Sequence, residues 1–160
     1  ICCGAGLDWV TTGDIVIASD QATFFDPHVS IGLVAGREMV RLARVLPRSV
    51  ALRMAIMGKH ERMSAERAAQ FGMVNRIVAR DALHETVAAM AAKLAKQDRL
   101  GNWLTKQAVN HVEELRGKRA AMDAVFHMHH FAHAQNDLVK GDSIAGVSGK
   151  SAAAENKKAG

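Results

Sequence analysis

The residues best suited to chemistry stand near the start of the chain. Gly4-Ala5-Gly6 is a turn of small residues that opens onto a short helix expected over about 7–12. A backbone N–H at a helix N-terminus is ready to stabilise negative charge on a carbonyl oxygen, and small side chains let a ligand approach the backbone closely. Ala5 can offer its N–H at negative φ, whereas a positive φ would be costly for it. Asp8 follows within that helix and has two readings: a proton-exchanging carboxylate, or a helix-terminal charge favoured by the macrodipole. His28, just after Asp26-Pro27, carries an imidazole able to exchange a proton near pH 7, against the alternative of a histidine with no chemical role.

Other reactive side chains are read more plainly. His127, His129, His130 and His133 include one i, i+4 pair, His129 and His133, which could meet on one helix face. No Cys or nearby carboxylate completes a ligand set, so no metal is expected there. Arg37, Arg41 and Arg44 share one helix face and are expected to be solvated, with contact to a phosphate as the alternative. Cys2 and Cys3 are sequence neighbours that point to opposite faces if extended, which predicts buried free thiols in a reducing compartment. Met54, Met57, Met122 and Met128 are expected to fill the core.

The elements that must position these groups alternate between strand and helix as far as about residue 80, which predicts an α/β core. Strands are expected over 1–4, 14–18, 22–25 and 73–78, the third ended by Asp26-Pro27. The loop 27–36 leads to a helix over about 37–46. Pro47 breaks it, and a second helix over 50–57 closes at Gly58. Ser64 caps a short helix that ends at Gly72. After Asp81, read as an N-cap, the pattern turns purely helical. Leu83, Val87, Met90, Ala91 and Leu94 form one apolar face, and further helices follow over about 102–115 and 118–138. Residues 1–80 thus read as a core and 81–140 as a helical oligomerisation region. Residues 141–160, rich in Gly, Ser, Ala and Lys, read as a disordered tail.

The turn Gly4-Ala5-Gly6, Leu7-Asp8 and the run Asp14-Ile15-Val16-Ile17-Ala18 together resemble a crotonase-family segment in which a small-residue turn and short helix lead to a D-I-x-I-A strand. Residues 22–33 are similar to the same family's A-x-F-x-x-P-E-x-x-x-G-L stretch, with Arg41-Leu42 as its following R-L pair. Met57-Gly58-Lys59, Ser64-Ala65-Glu66-Arg67-Ala68, Phe71-Gly72-Met73-Val74 and Leu104-Thr105-Lys106-Gln107-Ala108 continue the agreement. Any one piece is weak, but their shared order over about residues 1–140 identifies the chain as a member of the crotonase superfamily, of the enoyl-CoA hydratase/isomerase type, matching its C-terminal part. The chain opens at Ile1 as if midway through a strand, so an N-terminal half is expected upstream.

The resemblance implies a ββα spiral core followed by a C-terminal helical region, assembled as a homotrimer or hexamer. It implies an acyl-CoA thioester substrate held by Gly4, Gly6, Pro27 and Lys140, with coenzyme A as part of the substrate and no other cofactor. The Ala5 N–H takes the place of one of two oxyanion-hole donors, the other belonging to the N-terminal half. Asp8 and His28 occupy the positions of the two glutamates that hydratases of this family use. His28 does not repeat a two-carboxylate arrangement. It leaves open hydration, hydrolytic cleavage of a thioester or carbon–carbon bond, and a non-catalytic member, and it disfavours an isomerase needing a glutamate there. The G-x-G-G-T-Q-R pattern of the family is shortened here to Gly36-Arg37-Glu38-Met39-Val40-Arg41, and the aromatic residue usual just beyond Lys140 is missing.

Composition narrows the classes further. Hydrophobic residues are 49% and charged residues 23%, as in folded water-soluble domains. The formal charge of +5 is scattered and aromatics are only 4%, so nucleic acid is not an expected partner. No run approaches the roughly 18 apolar residues of a membrane span, and a cytoplasmic location is expected.

Overall fold

The computed structural model of the chain describes residues 1–140, so the expected tail at 141–160 lies outside the described residues. Strand β1 (Cys2–Cys3) ends at Gly4, and helix α1 (Ala5–Thr12) begins at once. Strand β2 (Ile17–Ser19) and strand β3 (Thr23–Phe25) follow. Residues His28–Ile31 form a 3-10 helix inside what the sequence predicts as plain loop. Helices α2 (Arg37–Val45) and α3 (Arg48–Met57) flank Pro47, whose fixed φ and missing N–H end the first and start the second. A 3-10 turn (Gly58–His60) then leads to strand β4 (Met63–Ser64), helix α4 (Ala65–Gln70) and strand β5 (Arg76–Val78).

The strands form a three-stranded sheet in the order β1-β3-β4 and a two-stranded sheet β2-β5. β3 is central: it runs parallel to β1, with Cys2 opposite Phe24, and antiparallel to β4, with Phe24 opposite Met63. β2 and β5 are parallel, Ile17 facing Arg76. One core joins both sheets to the helices. Leu7 of α1, Ala18, Phe24, Leu42 of α2, Ala51 and Met54 of α3, Ala68 of α4, Met73 and Val74 all pack into it. Burial of a side chain such as Leu42, at 0% exposure, stabilises by about 1.5–3 kcal/mol.

Several expected boundaries move, each for a local reason. Residues 14 and 15 form a bend rather than strand, because the Asn75 side chain reaches in: its Oδ1 accepts from the Val16 N–H at 2.7 Å. Met73 and Val74 lie in the turn after α4, their N–H groups donating to Ala68 O at 3.0 and 3.3 Å. Ser64 caps α4 as expected, its Oγ accepting from the Arg67 N–H.

The remaining helices are α5 (Leu83–Leu94), α6 (Arg99–Leu115) and α7 (Lys118–Lys140). Asp81 is not their N-cap. It sits inside a 3-10 turn (Arg80–Ala82), and α5 starts without a side-chain cap. Asp98 caps α6 instead, its Oδ2 accepting from Gly101 N–H at 2.5 Å, which starts that helix earlier than the apolar pattern suggests. The apolar face of α5 is only partly covered. Val87, Met90 and Leu94 look across a cavity of about 410 Å³ to Trp9, Ile15 and Ile17. α6 and α7 leave Trp103, Val109, Leu115, Phe131 and Leu138 exposed, the last at 85%.

Candidate functional site

Gly4 makes the strand-to-helix turn possible. Its φ of +52° with ψ of −119° lies where L side chains are strained, so the residue before α1 must lack a Cβ. Taking the positive φ at Gly4 leaves Ala5 free to be the first helical residue. Leu7 N–H and Asp8 N–H donate back to Gly4 O at 2.9 and 3.3 Å. The N–H groups of Ala5 and Gly6 precede these bonds, in the first turn where a helix has no internal acceptors to offer. Gly6 faces Cys2 Sγ. Burial, with the neighbouring Cys3 adding to it, pushes the Cys2 thiol up to about 11, so that half-buried cysteine is an inert thiol rather than a nucleophile.

The turn and His28 meet in space. A Cβ placed on Gly4 would stand 3.7 Å from Pro27 Cγ and 4.0 Å from His28 Cε1. Pro27 starts the 3-10 helix and His28 is its first residue. That helix is pinned from behind, where Ser30 Oγ accepts from the Lys59 N–H at 2.9 Å. It lies over Gly58, where φ is +59° and any Cβ would collide with Ser30 Oγ. The glycine read from the sequence as a helix stop is therefore also the contact that lets the His28 segment approach.

His28 does not pair with Asp8. Its Nδ1 lies 2.5 Å from Oδ1 of Asp26, a carboxylate at 1% exposure at the end of the central strand β3. Burial opposes the charged imidazolium. The hydrogen bond and charge of Asp26, with Glu38 of α2 adding, outweigh burial and hold His28 above the usual histidine value. Asp8 is held by Arg41, whose Nη1 donates to its Oδ1 and ties α1 to α2.

Of the arginines expected in solvent, Arg37 is exposed, while Arg41 and Arg44 are half-buried and paired. Arg41 takes Asp8, Arg44 donates through Nε to Glu113 of α6, and the Arg37 guanidinium lies 5.3 Å from the centre of the Phe126 ring on α7. Packing of α2 against its neighbours, invisible in its own periodicity, half-buries Arg41 and Arg44 and leaves Arg37 exposed.

α7 crosses behind the same segment. Asn136, at 5% exposure, donates through Nδ2 to Gly32 O and Ile31 O at 3.1 and 3.3 Å. His129 Nδ1 lies 2.6 Å from Val34 O, and a carbonyl only accepts, so Nδ1 carries the proton. His129 Nε2 lies 3.2 Å from His133 Nε2. The His129 and His28 rings meet edge-on with centroids 6.0 Å apart. Among the described residues no group of three or more metal-ligating side chains comes together. Sequence reasoning missed Asn136 and Glu38 as neighbours of this site, and nothing local marks either one. The side chain of Lys140 lies outside the described residues.

Residues 1–151 match the family described as enoyl-CoA hydratase/isomerase. Enoyl-CoA hydratase domain-containing protein 3, mitochondrial, from Rattus norvegicus is 37% identical over 95 residues, which are 59% of this chain and 31% of that protein. A 1,2-epoxyphenylacetyl-CoA isomerase from Escherichia coli strain K12 is 36% identical over 115 residues, 71% of this chain and 43% of that protein. A crystal structure of an enoyl-CoA hydratase/isomerase from Mycobacterium paratuberculosis is 49% identical, with a TM-score of 0.68, covering 89% of this chain and 56% of that one. The chain spans from about a third to a little over half the length of these relatives.

Proposed function

We propose that this chain, which belongs to the enoyl-CoA hydratase/isomerase family, contributes half of an acyl-CoA site in which the Ala5 N–H stabilises a thioester enolate and His28 transfers the proton. Its fold is the α/β crotonase-like fold expected from the sequence. The observation that carries the proposal is the approach of the His28 ring to the Gly4 turn, which sets a proton carrier beside helix-terminal donors.

In this reading a thioester carbonyl lies against the Ala5 N–H, with Gly4, Gly6 and Pro27 leaving room for it. Water adds to the β-carbon of an α,β-unsaturated acyl-CoA while His28 takes its proton. The displaced electron pair moves to the thioester oxygen, where an N–H at a helix start is worth most. The enolate then collapses and the α-carbon receives a proton. The family resemblance assigns a second donor to the N-terminal half of the fold and Lys140 to the coenzyme A nucleotide. Asp8, engaged by Arg41, serves the site by fixing α1 and reaches substrate only by leaving that pair. Exposed apolar faces on α6 and α7 support assembly as a homotrimer or hexamer through region 81–140, and the free thiols suit a reducing, cytoplasmic compartment.

Ala5→Pro tests the donor directly, because the first helical position tolerates proline while losing its N–H. Loss of crotonyl-CoA absorbance is expected to slow by about 10²–10³-fold, the usual cost of one oxyanion donor. An unchanged rate would remove Ala5 from the mechanism. The pairing of His28 with a buried carboxylate also favours a second reading, hydrolysis of the thioester, and release of free thiol in the same assay would identify it.

A further inference from the structure

A buried carboxylate is costly unless its charge is met, and Asp26 at 1% exposure meets His28 Nδ1 at 2.5 Å. A carboxylate only accepts, so Nδ1 carries the proton, and the neutral ring keeps its lone pair on Nε2. The ring meets the Gly4 turn through Cε1, the atom between the two nitrogens. Asp26 is itself fixed at the end of the central strand β3, next to Phe25 at 0% exposure.

From this geometry we infer that Asp26 is a positioning residue: it fixes His28 in the Nδ1–H tautomer and makes Nε2 the proton acceptor beside the Ala5 donor. The site then works as a histidine–aspartate dyad in place of a second carboxylate. The catalytic part of the inference rests on the proposed acyl-CoA chemistry. As the water oxygen bonds to the β-carbon, its O–H bond breaks and the proton goes to Nε2. Asp26 stays ionised and stabilises the imidazolium, and the proton later returns to the α-carbon as the enolate electron pair forms the C–H bond. Other titratable groups of the neighbouring helices have described contacts. Glu38 of α2 favours the imidazolium, His129 of α7 meets the ring edge-on, and Asp8 of α1 is paired with Arg41.

Nitrogen-15 NMR of the histidine rings, in the wild-type chain and in Asp26→Asn, tests the dyad without needing turnover. Neutral His28 is expected to show a protonated Nδ1 and a bare Nε2, and its titration midpoint should fall in Asp26→Asn. Asp26→Glu, which keeps the charge, should keep the midpoint raised. In crotonyl-CoA hydration, Asp26→Asn should move the acid limb of the kcat/KM profile to lower pH. It should also cost about 10²-fold or more in kcat with little change in KM, as loss of a tautomer-fixing carboxylate does in other dyads. A bare Nδ1 in the wild-type chain would overturn the inference whether or not any variant folds. So would an unmoved midpoint in a folded Asp26→Asn. If tautomer and midpoint behave as stated but neither hydration nor thiol release occurs, the dyad stands and the acyl-CoA chemistry falls.

Discussion

His28 makes the stability of the fold depend on pH. Against the opposing effect of burial, Asp26 and Glu38 hold its folded value above the ordinary histidine value of 6.5, so the folded state binds the proton more tightly than the unfolded chain does. The resulting stabilisation is fully present below the unfolded value and is lost as pH rises through the raised folded value. Urea midpoints of the wild type and His28→Gln, measured from pH 5 to 9, should therefore differ most at low pH and converge on the alkaline side. Parallel curves would show that the ring gains nothing from Asp26. Asp8 shows the limit of residue-scale reading: a carboxylate at that position suits proton transfer, and only the arrival of Arg41 from 33 residues away assigns it to a pair.

Between elements, the contact that matters most to the site is the hold of α7 on residues 31–34. Asn136 supplies two carbonyls with their donor, and His129 supplies a third. Ile31 and Gly32 are not fully buried, so losing the donor to their carbonyls costs about 0.5–1.5 kcal/mol. Asn136→Ala should lower stability to chemical denaturation by that amount, while Asp137→Asn, on the exposed side of α7, should stay within about 0.5 kcal/mol of the wild type. Equal effects of the two would mean that α7 does not clamp the segment. The arginine face of α2 teaches the same lesson, since its helical spacing is plain in the sequence but its partners lie on α1, α6 and α7.

At the scale of the whole molecule, the apolar residues left exposed on α6 and α7 set the expectation of assembly. Phe131 at 71%, Leu115 at 75% and Leu138 at 85% exposure leave large apolar side chains in solvent on these two helices. Light scattering of the 17.2 kDa chain should give a mass in multiples of three, and Phe131→Glu with Leu138→Glu should reduce it. A monomer at micromolar concentration would refute assembly through this surface.

The sequence by itself determined the alternation of strand and helix, the break at Pro47, the cap at Ser64 and the family, because these follow from local backbone preferences and from ordered motifs. It also marked the Gly4 turn and His28 as chemically able. What only the tertiary structure decided is who meets whom: Asp26 rather than Asp8 at His28, Arg41 at Asp8, and Asn136 and His129 at the segment after His28. The reason is physical. Backbone conformation is governed by neighbours in sequence, whereas the partner of a buried charge or carbonyl is fixed by packing between elements up to 105 residues apart.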